Sequence, residues 1–128
     1  MKATIISVID DDASMRAAMA RLLHSLGFST YAFASAQEFL LSPRLGETSC
    51  LIADVEMPGM SGVELQEYLV AHGHKTPIIF ITAFPEDRVR ERVMRAGAID
   101  FLNKPFDELR LLECVERALR WRHDGGPA

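Results

Sequence analysis

The sequence predicts an α/β domain of the doubly wound kind, five successive strand–helix units around a parallel sheet. Three observations lead there. Short apolar runs alternate five times with stretches whose apolar residues recur at helical spacing. The apolar runs are unbroken rather than alternating, as suits strands covered by helices on both faces. Gly or Pro marks most of the junctions between them. The 128 residues make room for one domain. A hydrophobic content of 48% with 25% charged residues excludes wholesale disorder.

Thr4-Ile5-Ile6-Ser7-Val8-Ile9 is short and β-branched, a first strand. Between Ala13 and Leu26, the residues Met15, Met19, Leu22, Leu23 and Leu26 form one helical face, and Gly27 suits the left-handed cap. Phe28 to Phe33 is a weaker strand. Ser35-Ala36-Gln37-Glu38 has capping-box spacing and opens a short helix through Leu41, with Pro43 and Gly46 marking a loop. Cys50 to Ala53 is a buried strand ending at Asp54. After Met57-Pro58-Gly59-Met60, Ser61-Gly62-Val63-Glu64 repeats the capping spacing, and a helix runs towards His72 and Gly73. Pro77 to Thr82 is the most apolar strand. Pro85 suits the first turn of a helix that carries Val89, Val93 and Met94 inward and stops at Gly97. Ala98 to Leu102 is a last short strand. A final helix from Asp107 to Arg120 shows a stripe of Leu109, Leu112, Val115 and Leu119.

In open α/β sheets, ligands bind beyond the carboxyl ends of the strands. The first strand delivers Asp10, Asp11 and Asp12 there, the third Asp54, the fourth Thr82 and Ala83, the fifth Asn103, Lys104 and Pro105. Taken singly, an acidic triplet caps a helix, an Asp turns a strand end, and a lysine is solvated. Together they read differently. Carboxylates converging from two strands repel one another without a cation, and hard oxygen ligands of this kind suit Mg²⁺. A hydroxyl and an ammonium on the neighbouring strands suit the oxygens of a phosphoryl group. The set is that of a phosphoryl-transfer site. His72-Gly73-His74 has no acid or thiol nearby and reads as a solvated helix end. Cys50 and Cys114 form no CxxC pair and read as buried free thiols.

With these residues in view, the chain resembles a response-regulator receiver domain of bacterial two-component signalling, of the CheY-like superfamily. The resemblance rests on Val8-Ile9-Asp10-Asp11, on Asp54 with Met57-Pro58-Gly59-Met60-Ser61-Gly62, on Thr82-Ala83, and on Lys104-Pro105-Phe106. It covers Thr4 to Arg120 and implies a five-stranded sheet in the order 2-1-3-4-5. It implies that Asp54 is the phosphoacceptor, taking the phosphoryl group from a phosphohistidine on a sensor histidine kinase. Asp11, Asp10, Asp54 and the backbone carbonyl of Glu56 would hold Mg²⁺, with Mn²⁺ able to substitute. Thr82, the Ala83 amide and Lys104 would hold phosphoryl oxygens, and a cis Lys104–Pro105 peptide would aim the lysine. Phe101 would be the switch aromatic that turns inward as Thr82 moves to the phosphate; a plain core aromatic is the other reading. Phe84 would shield the phosphoryl group. Such a domain catalyses only its own phosphorylation and slow dephosphorylation.

The resemblance also implies an output surface on the fourth helix, fifth strand and fifth helix. Arg88, Arg92 and Arg95 would there meet Asp100, Glu113 and Arg117 across a two-fold axis in a phosphorylation-dependent homodimer. Ala96-Gly97-Ala98-Ile99-Asp100-Phe101-Leu102 is similar to FixJ/LuxR-type regulators, which implies control of transcription through a DNA-binding domain outside this chain. A stand-alone receiver acting by protein contact or phosphotransfer is the alternative. A phosphatase-like hydrolase would have a second Asp where Glu56 stands, and a pseudo-receiver would lack Asp11, Asp54 or Lys104. The expected organisation is a receiver over 1–121 and a tail or linker start over 122–128. Residues Ile78-Ile79-Phe80-Ile81 are among the longest apolar runs, far below the roughly 18 that span a membrane. No secretory signal fits the three aspartates, so the expected location is cytoplasmic. A net charge of −4 argues against direct nucleic-acid binding. Asp10, Asp11, Asp12 and Asp54 alone match that excess.

Overall fold

The computed structural model describes residues 4–123. Five β-branched, apolar segments form one parallel sheet in the order β2-β1-β3-β4-β5. The strands are β1 (Ile5–Ile9), β2 (Ser29–Phe33), β3 (Cys50–Asp54), β4 (Ile78–Thr82) and β5 (Asp100–Asn103). The helices between and after them are α1 (Ala13–Ser25), α2 (Ala36–Leu41), α3 (Gly62–Ala71), α4 (Asp87–Arg95) and α5 (Glu108–His123). The predicted fold class and strand order are those observed. Among the described residues, no helix is long and apolar enough to cross a membrane.

Side chains leave successive strand positions on opposite faces, so each buried strand feeds two cores. Phe39 of α2, Leu65 and Leu69 of α3 and Val93 of α4 pack with Leu51, Ala53, Phe80 and Phe101 on one face. Met19 and Leu23 of α1 and Leu111, Cys114, Val115 and Ala118 of α5 pack with Ile52, Ile79, Ile81 and Leu102 on the other. All of β3 and β4 is buried, whereas β2 is an edge strand and only partly covered. Cys50 and Cys114 are buried free thiols, as predicted. Gln66, buried in α3, donates through Nε2 to the Val93 carbonyl at 3.0 Å and ties α3 to α4.

Several predicted details shift. The last helix buries Leu111, Cys114, Val115 and Ala118, while Leu109 is exposed. The small Cys and Ala side chains let the helix sit close to the sheet, and a stripe traced through leucines alone misses that phase. The helix also runs on to His123. In α4 Val93 is buried and Val89 packs partly buried against the same core, while Met94 is 37% exposed. Pro85 lies ahead of that helix, whose N-cap is Glu86. The fifth strand starts at Asp100, not Ala98, and the loop around Pro43 folds into a 3₁₀ turn, Pro43–Glu47. The capping box predicted at Ser61 is complete, with Glu64 Oε1 accepting from the Ser61 amide at 2.9 Å. At Ser35 it is displaced by one residue, because Glu38 accepts from the Ala34 amide instead. Of the expected tail, residues 124–128 lie outside the described ones.

Candidate functional site

Parallel strands end on one edge of the sheet, and β1, β3, β4 and β5 bring the acids, the threonine and the lysine there. Asp10 follows β1 directly and is buried. Its Oδ1 accepts from the Asp12 amide at 3.0 Å, and its carbonyl accepts from Arg16 Nη1 at 2.7 Å. Asp54 closes β3, with Oδ1 accepting from the Glu56 amide at 3.2 Å. The Lys104 ammonium spans both strands, donating to Asp54 Oδ2 at 2.9 Å and to Asp10 Oδ2 at 3.0 Å. The Lys104 amide donates to the Thr82 carbonyl at 2.7 Å, which sets the root of that side chain beside β4, and the Lys104–Pro105 peptide is cis. Asp11 is exposed beside them. Oxygens of Asp10, Asp11 and Asp54 all lie within 4.8 Å of one another. Asp12 stands apart as the N-cap of α1, accepting from the Ser14 and Met15 amides.

The electrostatics follow from burial. Burial pushes the Asp54 carboxyl above the usual carboxylate range, and Lys104 offsets this only in part, with Asp10 adding to the upward push. Burial works against the Lys104 ammonium, but its bonds to Asp54 and Asp10 outweigh that and raise it above the usual lysine value. Lys104 thus pairs with two of the three clustered carboxylates, Asp10 and Asp54. Hard oxygen donors with excess negative charge, one of them open to solvent, fit a divalent cation of the Mg²⁺ kind.

The backbone of Asp54 is approached from behind by Gly62. A Cβ built there would sit 2.5 Å from the Asp54 carbonyl oxygen and 3.1 Å from the Phe80 ring, and the Gly62 amide donates to the Val55 carbonyl at 2.9 Å. The first turn of α3 therefore rests directly on the end of β3. This is a close-approach glycine, with ordinary backbone angles.

Thr82 ends β4 fully buried. Its hydroxyl donates to the Glu56 carboxylate, at 2.7 Å to Oε2 and 3.0 Å to Oε1, and accepts from the Phe84 amide at 3.0 Å. Ala83 is exposed at the strand end. Phe84 is 71% exposed, so its ring lies in solvent rather than over the acids. Phe101 occupies the inward position, 4% exposed among the core residues. Beyond its backbone carbonyl, the resemblance gives the Glu56 side chain, like that of Phe84, a place in tuning water access to the phosphoryl group, but no contact with Thr82. The side-chain contact to Thr82, the Arg16 contact to Asp10 and the close approach at Gly62 become visible only in three dimensions, although a carboxylate two residues past Asp54 was a signal for the first.

On the α4–β5–α5 face three of the six expected residues, Arg92, Asp100 and Arg117, have partners within the chain. Asp100 is buried, and its carboxylate accepts from the Phe101 amide at 2.7 Å, from Arg117 Nη2 at 2.8 Å and from Arg110 Nη2 at 3.3 Å. Burial pushes this carboxyl up, but those donors together outweigh it and hold it below the usual range. Arg92 pairs with Glu67 of α3 at 2.6 Å. Arg88, Arg95 and Glu113 are exposed. Within this chain β5 turns Asp100 inward under α5, while its partner Arg117 stays half exposed. His72 stacks on Tyr68 at 3.9 Å between centroids and bonds to its carbonyl, a helix end as predicted.

A parallel α/β sheet whose carboxyl edge joins clustered carboxylates, a buried hydroxyl and a bridging lysine defines the class: an α/β domain with an acidic site at its strand ends that fits a divalent cation. Comparison with known proteins gives that class a family. Residues 6–116 match the response regulator receiver domain. The chain is 43% identical over 114 residues to nodulation protein W of Bradyrhizobium diazoefficiens, covering 89% of this chain and 50% of that protein. To the transcriptional regulatory protein FixJ of the same organism it is 40% identical over 115 residues, covering 90% and 56%. Among solved structures, the response regulator StyR superposes with a TM-score of 0.89 at 43% identity, covering 95% of this chain and 62% of that one. The FixJ-N structure does so with a TM-score of 0.83 at 33% identity, covering 94% and 96%. The chain belongs to the response regulator receiver domain family of two-component systems. It spans about half the length of the curated relatives it matches.

Proposed function

We propose that this domain accepts a phosphoryl group on Asp54 from a phosphohistidine of a sensor histidine kinase. The observation that carries the reading is the Lys104 ammonium held between Asp54 and Asp10, 2.9 and 3.0 Å away, at the mouth of a carboxylate cluster. An Asp54 oxygen attacks phosphorus in line. The phosphorus–nitrogen bond to the donor breaks, its electron pair leaves with the imidazole, and the imidazole is then protonated. The product is an acyl phosphate. Lys104, the Thr82 hydroxyl and the Ala83 amide receive the phosphoryl oxygens. Asp10, Asp11, Asp54 and the Glu56 carbonyl would hold Mg²⁺, which would neutralise charge on the transferring group.

Thr82 is the moving part of the proposed switch, beside a Phe101 ring that is already buried in this structure, and the α4–β5–α5 face is the proposed output and homodimer surface. Relatives named as transcriptional regulators favour control of transcription by a further domain; a stand-alone receiver is the second reading. Intact-mass analysis after incubation with acetyl phosphate and Mg²⁺ tests the acceptor. The expected result is one phosphoryl adduct, lost in Asp54→Asn and lost on chelation. An unlabelled wild type, or an Asp54→Asn variant labelled equally, refutes it, and labelling that survives chelation refutes the metal's role.

A further inference from the structure

We infer that the Glu56 carboxylate is a positioning group that competes with the incoming phosphoryl group for the Thr82 hydroxyl, and so holds the switch residue back until the acceptor is modified. The inference rests on the phosphoacceptor reading of Asp54 and deepens it. A threonine hydroxyl has one proton to donate. Here that proton is directed at both Glu56 oxygens, 2.7 and 3.0 Å away, while the Phe84 amide donates to the hydroxyl oxygen at 3.0 Å. Thr82 itself is fully buried, so no water substitutes readily for either partner. A phosphoryl oxygen can gain this donor only if Glu56 loses it.

The geometry makes Glu56 suited to yield. Its amide donates to Asp54 Oδ1 at 3.2 Å, so the same residue touches the acceptor through its backbone and the switch through its side chain. The residue is exposed, so its carboxylate can swing into water at little cost once a second anion arrives. A phosphoryl group on Asp54 brings that anion, and like charges at this range repel. Charge-assisted hydrogen bonds are about twice as strong as neutral ones, so release of Thr82 has a measurable effect.

The test is a double-mutant cycle read by the affinity for beryllofluoride in the presence of Mg²⁺. Glu56→Ala is expected to bind about tenfold more tightly than wild type, the scale of one such bond. Glu56→Gln, which keeps an acceptor for Thr82, is expected to fall between them. In a Thr82→Val background, which fills the same buried space without the hydroxyl, Glu56→Ala is expected to change the affinity less than twofold. A metal-free readout accompanies it. Amide hydrogen exchange at Phe84 is expected to quicken in Glu56→Ala, because the hydroxyl that accepts from it is no longer held. An equal gain in the Thr82→Val background would show that Glu56 acts only through its charge and would overturn the inference. No gain in the wild-type background overturns it too, as does unchanged exchange at Phe84. A wild type that is neither labelled on Asp54 nor bound by beryllofluoride overturns the phosphoacceptor reading and this inference together.

Discussion

The Asp54 carboxylate is buried at a cost to the fold. Asp54 is buried, and its carboxyl is raised because Lys104 offsets only part of the burial. A raised carboxyl binds protons more tightly folded than unfolded, so its ionised form opposes folding. That cost is absent below the ordinary carboxylate range, grows as pH rises towards the folded value, and is complete above it. Asp54→Asn removes it. The expected outcome is a Tm about 3 °C higher than wild type at pH 7 without added cation, the scale of roughly 1 kcal/mol in a domain of this size. The difference should shrink as the pH is lowered through that window. Thermal melts across pH check it; a variant less stable than wild type at pH 7 would mean that the pairing with Lys104 outweighs burial.

At the scale of elements, the junction of β3 with α3 fixes the backbone at Asp54. Gly62→Ala forces a Cβ against the Asp54 carbonyl and the Phe80 ring. The expected loss is about 1–3 kcal/mol in denaturant unfolding, the range for overpacking a close contact, with slower acetyl phosphate labelling because the end of β3 shifts. A variant of wild-type stability would show that α3 can move away without cost. This site also marks what sequence could and could not convey. Asp10, Asp11, Asp54, Thr82 and Lys104 sit at strand ends, and strand ends are legible from unbroken apolar runs, so their meeting was foreseeable. The Gly62 approach depends on how far a helix start sits from another strand's carbonyl. The burial phase of α5 was missed for a related reason: Cys114 and Ala118 are buried for their small size, which a stripe of leucines does not reveal.

For the whole molecule, the two faces of the sheet are closed differently. Beneath α1 and α5 the packing is apolar, and Asp100 is locked to Arg110 and Arg117. The proposed phosphorylation-dependent dimer has the exposed Arg88, Arg95 and Glu113 open to it, with the Asp100 carboxylate itself turned inward. Sedimentation with and without beryllofluoride and Mg²⁺ is expected to show dimers favoured by the activator, and weakened in an Arg88→Glu/Arg95→Glu variant. A profile indifferent to the activator would place the output elsewhere. The other face carries α4, secured at Val93 by burial and by the Gln66 bond. Six residues separate that anchor from Asp87, an arm of about 9 Å at 1.5 Å per residue. The helix is thus a lever with its pivot near one end. A shift of about 1 Å in the segment joining Thr82 to Asp87 would swing it by roughly 6°, so a small adjustment at a hydroxyl becomes a tilt that a partner can read.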